Sequence, residues 1–186
     1  MARANFVKCA RKDVKNSDIK KGESYYWWSF KFGGKHVSRT MPKQSQLTQS
    51  DFLQQIYAVG ERIEDMTTDD DFESEIDSLK SDLESLRDET QDKHDNMPDQ
   101  LQDAPTGEML QNRCDEIDSM IDELDGIDLE IDEEEIAEDI KNNNEQEEGE
   151  SKEDYETRLE ELTEEEITSK KDDILGNIQS ITYNGE

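Results

Sequence analysis

Thiols, imidazoles and long apolar runs are all scarce in this chain, and each shortage excludes a class of function. The two cysteines, Cys9 and Cys114, stand far apart, with no second thiol or histidine at metal-ligand spacing. They read as free reduced thiols, the usual state inside a cell. The two histidines, His36 and His94, lie apart from any Ser, Cys or carboxylate pattern of a catalytic triad and read as exposed imidazoles. Glycine-rich phosphate loops, paired-cysteine motifs and His-Glu-x-x-His are missing as well. The expectation is a protein that is not an enzyme and has no cofactor and no metal site. The start, Met1 to Lys8, lacks the apolar run of a signal peptide. No stretch approaches the roughly 20 apolar residues needed to span a bilayer, so a cytoplasmic location away from membranes is expected.

Apolar residues are also few, at 30% against 39% charged. A chain this polar offsets its conformational entropy only in small cores or narrow bundles. What it does have is charge, sharply divided. Residues 1–50 carry eleven Lys/Arg against three Asp/Glu, whereas residues 51–186 carry ten against forty-eight. Nine of the twelve aromatic side chains fall within residues 1–60. The reading is an α+β chain: a small basic head of β-hairpin plus helix, followed by an acidic, mostly α-helical body of coiled-coil or helical-hairpin type. Expected boundaries are 1–64 for the head, 65–140 for an acidic helical hairpin, 141–153 for a polar linker and 154–186 for a C-terminal acidic helix.

Within the head, residues 1–22 read as an irregular basic arm. Residues 24–32 and 35–40 read as strands joined by Gly33-Gly34, since both central residues of a tight hairpin turn then tolerate φ > 0. Alternation places Tyr26, Trp28, Phe30 and Phe32 on one face and Tyr25, Trp27, Ser29 and Lys31 on the other. A third strand near Phe6-Val7 would help, because a lone hairpin is not stable. Thr48 to Asp51 then offer caps for an amphipathic helix over 50–64, expected to pack on the hairpin.

In the body, Thr67 to Asp71 provide a helix start with favourable charge for the dipole. Phe72, Ile76, Leu79, Leu83 and Leu86 follow at steps of 4, 3, 4 and 3, and Leu110, Cys114, Ile117, Ile121 and Leu124 repeat the same steps. Such seams require partner helices. Two arms of an antiparallel hairpin satisfy them, and so does a homodimer. Pro98 and Pro105 break the helix between them. Ile127, Leu129 and Ile131 alternate after Gly126, which suits a strand or a loop. A last helix is expected from about residue 152 to 180.

Two surfaces are candidates for function. The first is the polyanion: Asp69, Asp70, Asp71, Asp122, Asp125, Asp128, Asp132, Glu133, Glu134 and Glu135 are the clustered carboxylates that would meet a basic protein surface. A helix over 72–97 spans about 39 Å, a length over which duplex DNA carries roughly 23 charges. Folded helices of this composition approach that density, so competition for a nucleic-acid groove is the leading expectation; a solvated coiled-coil surface is the alternative. The stretch 122–134 does not fit a calcium loop, since Gly126 at the sixth position puts Ile121 at the first. The second surface is the head, where Lys20, Lys21, Lys31, Lys35, Arg39 and Lys43 lie near Tyr25 and Trp27. Cations neutralising phosphates and rings stacking on bases make a nucleic-acid site. Trp28, Phe30 and Phe32 read as the core of the head.

The run Lys20-Lys21-Gly22-Glu23-Ser24-Tyr25-Tyr26-Trp27-Trp28, then Phe30 to Lys35 and Ser45 to Ser50, resembles small phage- and plasmid-type proteins of uncharacterised function. This covers about the first third of the chain and implies no site residue. The aromatic strand, glycine turn and helix are also distantly similar to the arm-binding domains of phage integrases, which would put Lys31, Lys35 and Arg39 on a DNA-facing sheet. In charge and helicity the body resembles phage anti-restriction proteins that imitate DNA. These likenesses imply a phage-type protein acting on a host nucleic-acid-binding or defence enzyme. The alternatives are a nucleic-acid-binding module with an acidic coiled coil for assembly or autoinhibition, and a structural assembly protein.

Overall fold

Aromatic and β-branched residues favour a pleated, half-buried surface, and the run at residues 25–28 forms the middle strand of a small antiparallel sheet. The computed structural model describes residues 1–185, and the chain has an α+β fold. Strands β1 (Asn5–Val7), β2 (Tyr25–Ser29) and β3 (Lys35–Ser38) lie in the order β1-β2-β3. The third strand sought near Phe6-Val7 is therefore present, with Phe6 opposite Tyr26.

The hairpin turn differs from expectation. The last cross-strand pair is Ser29 with Lys35, so residues 30–34 form a five-residue loop. Neither Gly33 nor Gly34 takes a positive φ. Instead the Gly33 N–H donates to the Phe30 carbonyl at 3.3 Å, turning the chain before the glycine pair. The consequence is that Phe32 leaves the sheet and is 87% exposed, while Phe30 is half-buried with its ring edge on His36. Of the predicted aromatic core only Trp28 is fully buried, stacked on His36.

The basic arm between β1 and β2 is an ordered loop. Ala10 N–H donates to Glu23 O and Gly22 N–H to Ala10 O, at 2.8 and 2.9 Å. Asp13 accepts from Lys21 N–H at 2.8 Å, and Ala10 and Ile19 are buried.

Helix α1 (Asp51–Asp65) starts at Ser50, whose hydroxyl accepts from Leu53 N–H. It buries Phe52, Ile56, Val59 and Ile63, but not against the hairpin as expected. These side chains belong to one core with Leu79, Leu83 and Leu86, with Ile117 and Leu124, and with Ile174, Ile178 and Ile181. Arg62 ties α1 down further through Glu75, Ser78 and Asp82. An amphipathic stripe states that a face is buried, not what covers it. The boundary expected after residue 64 thus falls inside this core. The sheet meets the helices earlier, around a 3-10 turn at Gln44–Leu47, where Ala2 N–H donates to Leu47 O and Ser45 binds the Glu61 carboxylate.

Helices α2 (Phe72–Asp95) and α4 (Pro105–Asp125) flank the short α3 (Asp99–Gln102). Lys80 pairs with Asp125 and Arg87 with Asp118, which fixes an antiparallel hairpin. Leu79, Leu83 and Ile117 are completely buried between the two helices and their neighbours. The heptad seams are thus satisfied within the chain, and a homodimer built on them has no free seam to use. On α4 the seam passes through Met120, with Ile121 only half-buried beside it. Gly107 lets α3 fold tightly back on α4, since a Cβ there would collide with the Gln102 carbonyl.

Beyond α4, Ile127, Leu129 and Ile131 run as an extended connection against the core. Helix α5 (Glu133–Asn143) follows, capped by Asp132, where sequence gave no separate helix. Helix α6 (Lys152–Gln179) matches expectation closely. The expected linker at 141–153 is largely a closed turn between α5 and α6. Tyr155 OH donates to Asn144 O at 2.7 Å, and Arg158 reaches both the Glu150 carboxylate and Glu145 O.

Candidate functional site

Helix α6 is anchored at one end only. Its last turns carry Ile174 and Ile178 into the main core, and Gln179 donates to Met66 O at 3.3 Å. Its first half packs on α5 outside that core, making a two-helix arm. Within the arm Ile136 is fully buried, whereas Ile140, Tyr155, Leu159, Leu162 and Ile167 are half-buried. Two helices cannot enclose an apolar stripe as four do, so the stripe stays at the edge of water.

The arm is densely anionic. Residues 132–167 hold eighteen carboxylates and three Lys/Arg, a net of −15. Two of those cations are spent locally, Arg158 on Glu150 and Lys152 on Glu156. The α6 portion of the arm, sixteen residues, is about 24 Å long. Duplex DNA of that length carries about 14 phosphates. Glu161, Glu164, Glu165 and Asp172 follow one helical face and line a shallow depression with Thr168 and Ser169. Among the described residues none of these four carboxylates enters an ion pair.

Several of the acidic residues singled out in sequence have local structural jobs. Asp70 accepts from the Thr67 N–H and hydroxyl, Asp71 caps α2, Asp128 accepts from Glu130 N–H and Asp132 caps α5. Asp125 is bound to Lys80, whose pKa is raised mainly by that contact. Asp69, Asp122, Glu133, Glu134 and Glu135 are exposed and outside any ion pair among the described residues. Of the predicted cluster, Asp132 to Glu135 alone belong to the arm. The twelve carboxylates at 145–166 were missed, although cumulative charge along the sequence marks them.

Hydrogen bonds from Arg158, then from Glu147 N–H, lower the Glu150 carboxyl to a pKa of about 2. This pair closes the α5–α6 turn, so the arm's geometry depends on one of its few cations.

The head residues divide in the same way. Tyr25, Trp27 and Lys35 share a sheet face, with the Lys35 ammonium 4.4 Å from the centre of the Trp27 ring. Arg39 is committed to Glu23 and to Asp18 O, and Lys31 lies over the Phe32 ring. Lys20 and Lys21 are exposed on the β1–β2 loop. Lys43 sits apart, paired with Asp65 of α1 at 2.6 Å. Among the described residues, no group of three or more His, Cys, Asp or Glu side chains is arranged to hold a metal ion, and no helix is long and apolar enough to cross a membrane.

Comparison with protein-family models, with curated proteins and with solved structures returned no match.

Proposed function

We propose that this chain is a non-enzymatic, phage-type interaction protein acting in the host cytoplasm. Its acidic α5–α6 arm occupies a basic, nucleic-acid-binding groove of a host enzyme and excludes the enzyme's natural polyanion. The observation that carries this reading is the arm's charge density: a net of −15 on a rod whose length of duplex holds about 14 phosphates. The half-buried stripe of Leu159, Leu162 and Ile167 adds apolar contact area beside the carboxylates. Inhibition is stoichiometric, and affinity falls as salt rises, because exposed charges are screened beyond about 10 Å at 0.1 M salt.

The test is capture from nuclease-treated bacterial lysate by the full chain and by a variant with Glu161→Gln, Glu164→Gln, Glu165→Gln and Asp172→Asn. Nucleic-acid-binding proteins should be retained by the native chain, released by added duplex DNA or by high salt, and lost with the variant. Captured proteins that neither duplex DNA nor the variant releases would sink the proposal.

A further inference from the structure

On the sheet face that carries Tyr25 and Trp27 both rings are half-buried, and the loop between β1 and β2 lies against it. Cross-strand pairing puts Val7 beside Tyr25 and Val37 beside Trp27, with Lys35 next along the same face. The loop between β1 and β2 rises along one side of this face. Between loop and sheet lies a cleft of about 770 Å³, floored by Val7, Tyr25 and Val37. Arg11, Lys12 and Lys15 stand on the loop wall and Lys35 on the sheet wall. All four are exposed, and among the described residues none is in an ion pair. The one carboxylate on the cleft, Asp13, accepts from Lys21 N–H.

A half-buried ring at the bottom of a cleft rimmed by unpaired cations matches a planar, apolar group attached to anions. We infer that the cleft binds a single-stranded nucleic-acid segment, with one base on Tyr25 and flanking phosphates against Arg11, Lys12, Lys15 and Lys35. A duplex keeps its bases stacked and cannot offer a face to the floor. The cations are spread over two walls instead of converging on one point, which suits a running backbone better than a terminal phosphate cluster. This site lies in the basic head and stands or falls independently of the acidic arm.

The experiment is fluorescence anisotropy of the full chain with labelled oligothymidine, a duplex of equal length and thymidine monophosphate as competitor. It is done at physiological ionic strength, where exposed charges are screened beyond about 8 Å, which limits repulsion by the acidic helices. The single strand should bind more tightly than the duplex. Tyr25→Ala should weaken it roughly 5- to 150-fold, the range for loss of one base–aromatic stack, and Tyr25→Phe should restore it. Replacing Arg11, Lys12 and Lys15 together by Gln should flatten the salt dependence by about 2 in the log–log slope, at roughly 0.7 per phosphate contact. These three side chains are exposed, so the triple variant reports on binding even if Tyr25→Ala disturbs the sheet. No binding of the strand, or equal binding of strand and duplex, would overturn the inference. Displacement by the mononucleotide at the strand's own concentration would overturn it too, in favour of a free-nucleotide site.

Discussion

The α2–α4 hairpin and the α5–α6 arm have similar ingredients, carboxylate-rich helices with a thin apolar stripe, yet they end in different states. In the hairpin, Leu79 and Leu83 are wholly buried because α1 and the end of α6 close over the seam. In the arm, Leu159 and Leu162 are half-buried because nothing closes over them. Both regions are strongly negative; what decides how their stripes are packed is enclosure. The hairpin is built as the stable unit, and the arm as the low-stability, accessible one from which binding surfaces are drawn.

The sharpest way to break this contrast is to cut the hairpin seam. Leu83→Ala should cost about 2–5 kcal/mol, the range for deleting a fully buried leucine. Denaturant unfolding followed by helical circular dichroism measures it. A cost near that of a surface change would mean the seam is loosely packed and the contrast false. Next in size is Gly107→Ala, which strikes the joint instead of the seam. Its new methyl meets the Gln102 backbone, and overpacking of this kind costs about 1–3 kcal/mol. Loss of α3 amide protection in hydrogen exchange, with α5 and α6 unaffected, is the accompanying signature.

How much of this was legible in the sequence follows from what each pattern physically specifies. Two matched seams at 3.5-residue spacing demand partners, and one chain holding both can satisfy them internally, so α2 and α4 were readable. Ser50 and Asp71 marked helix starts because a side-chain acceptor is needed there. The stripe on α1 revealed burial but not its covering, so the helix was assigned to the sheet and not to the helical core. Gly33-Gly34 permits a two-residue turn without forcing one, and the Phe30 carbonyl took the chain another way. Helix α5 is eleven residues with one fully buried side chain, too little periodicity to read. For the site, acidic clusters near helix starts drew attention, although Asp70, Asp71 and Asp132 serve those starts. Beyond Asp132 to Glu135 the arm's carboxylates lie singly or in short runs and show mainly as a running total of charge. The basic cleft was half legible: Tyr25, Trp27 and Lys35 alternate onto one face, whereas Arg11, Lys12 and Lys15 reach it through a loop whose hydrogen bonds leave no periodic trace.

A smaller effect tests the arm from within. Leu162→Ala should cost only about 1 kcal/mol, as expected where a leucine buries about half its surface. Amides of α5 and the first half of α6 should exchange faster than those of α2 and α4 before any change is made. Exchange of the arm at the hairpin's rate, with Leu162→Ala as costly as Leu83→Ala, would merge the two regions into one cooperative unit.

The smallest effect is confined to the turn that closes the arm. Glu150 has a pKa of about 2 in the folded chain, below the roughly 4.3 of an unperturbed glutamate. A carboxyl lowered on folding contributes stability that is fully present above its unfolded value. That contribution is lost as pH falls through the window from about 4.3 to about 2. Arg158→Met removes the first cause of the shift, so the Glu150 side-chain carbonyl, followed by NMR, should titrate close to the ordinary range. In the native chain, amides of residues 144–151 should lose protection within that acid window, while Leu79 and Leu83 keep theirs. Arg158→Met should bring the same local opening at neutral pH. If instead α2 and α4 open together with the turn, the arm is clamped to the hairpin by its own closing contact, and the division between an enclosed unit and an exposed one fails at the residue best placed to maintain it.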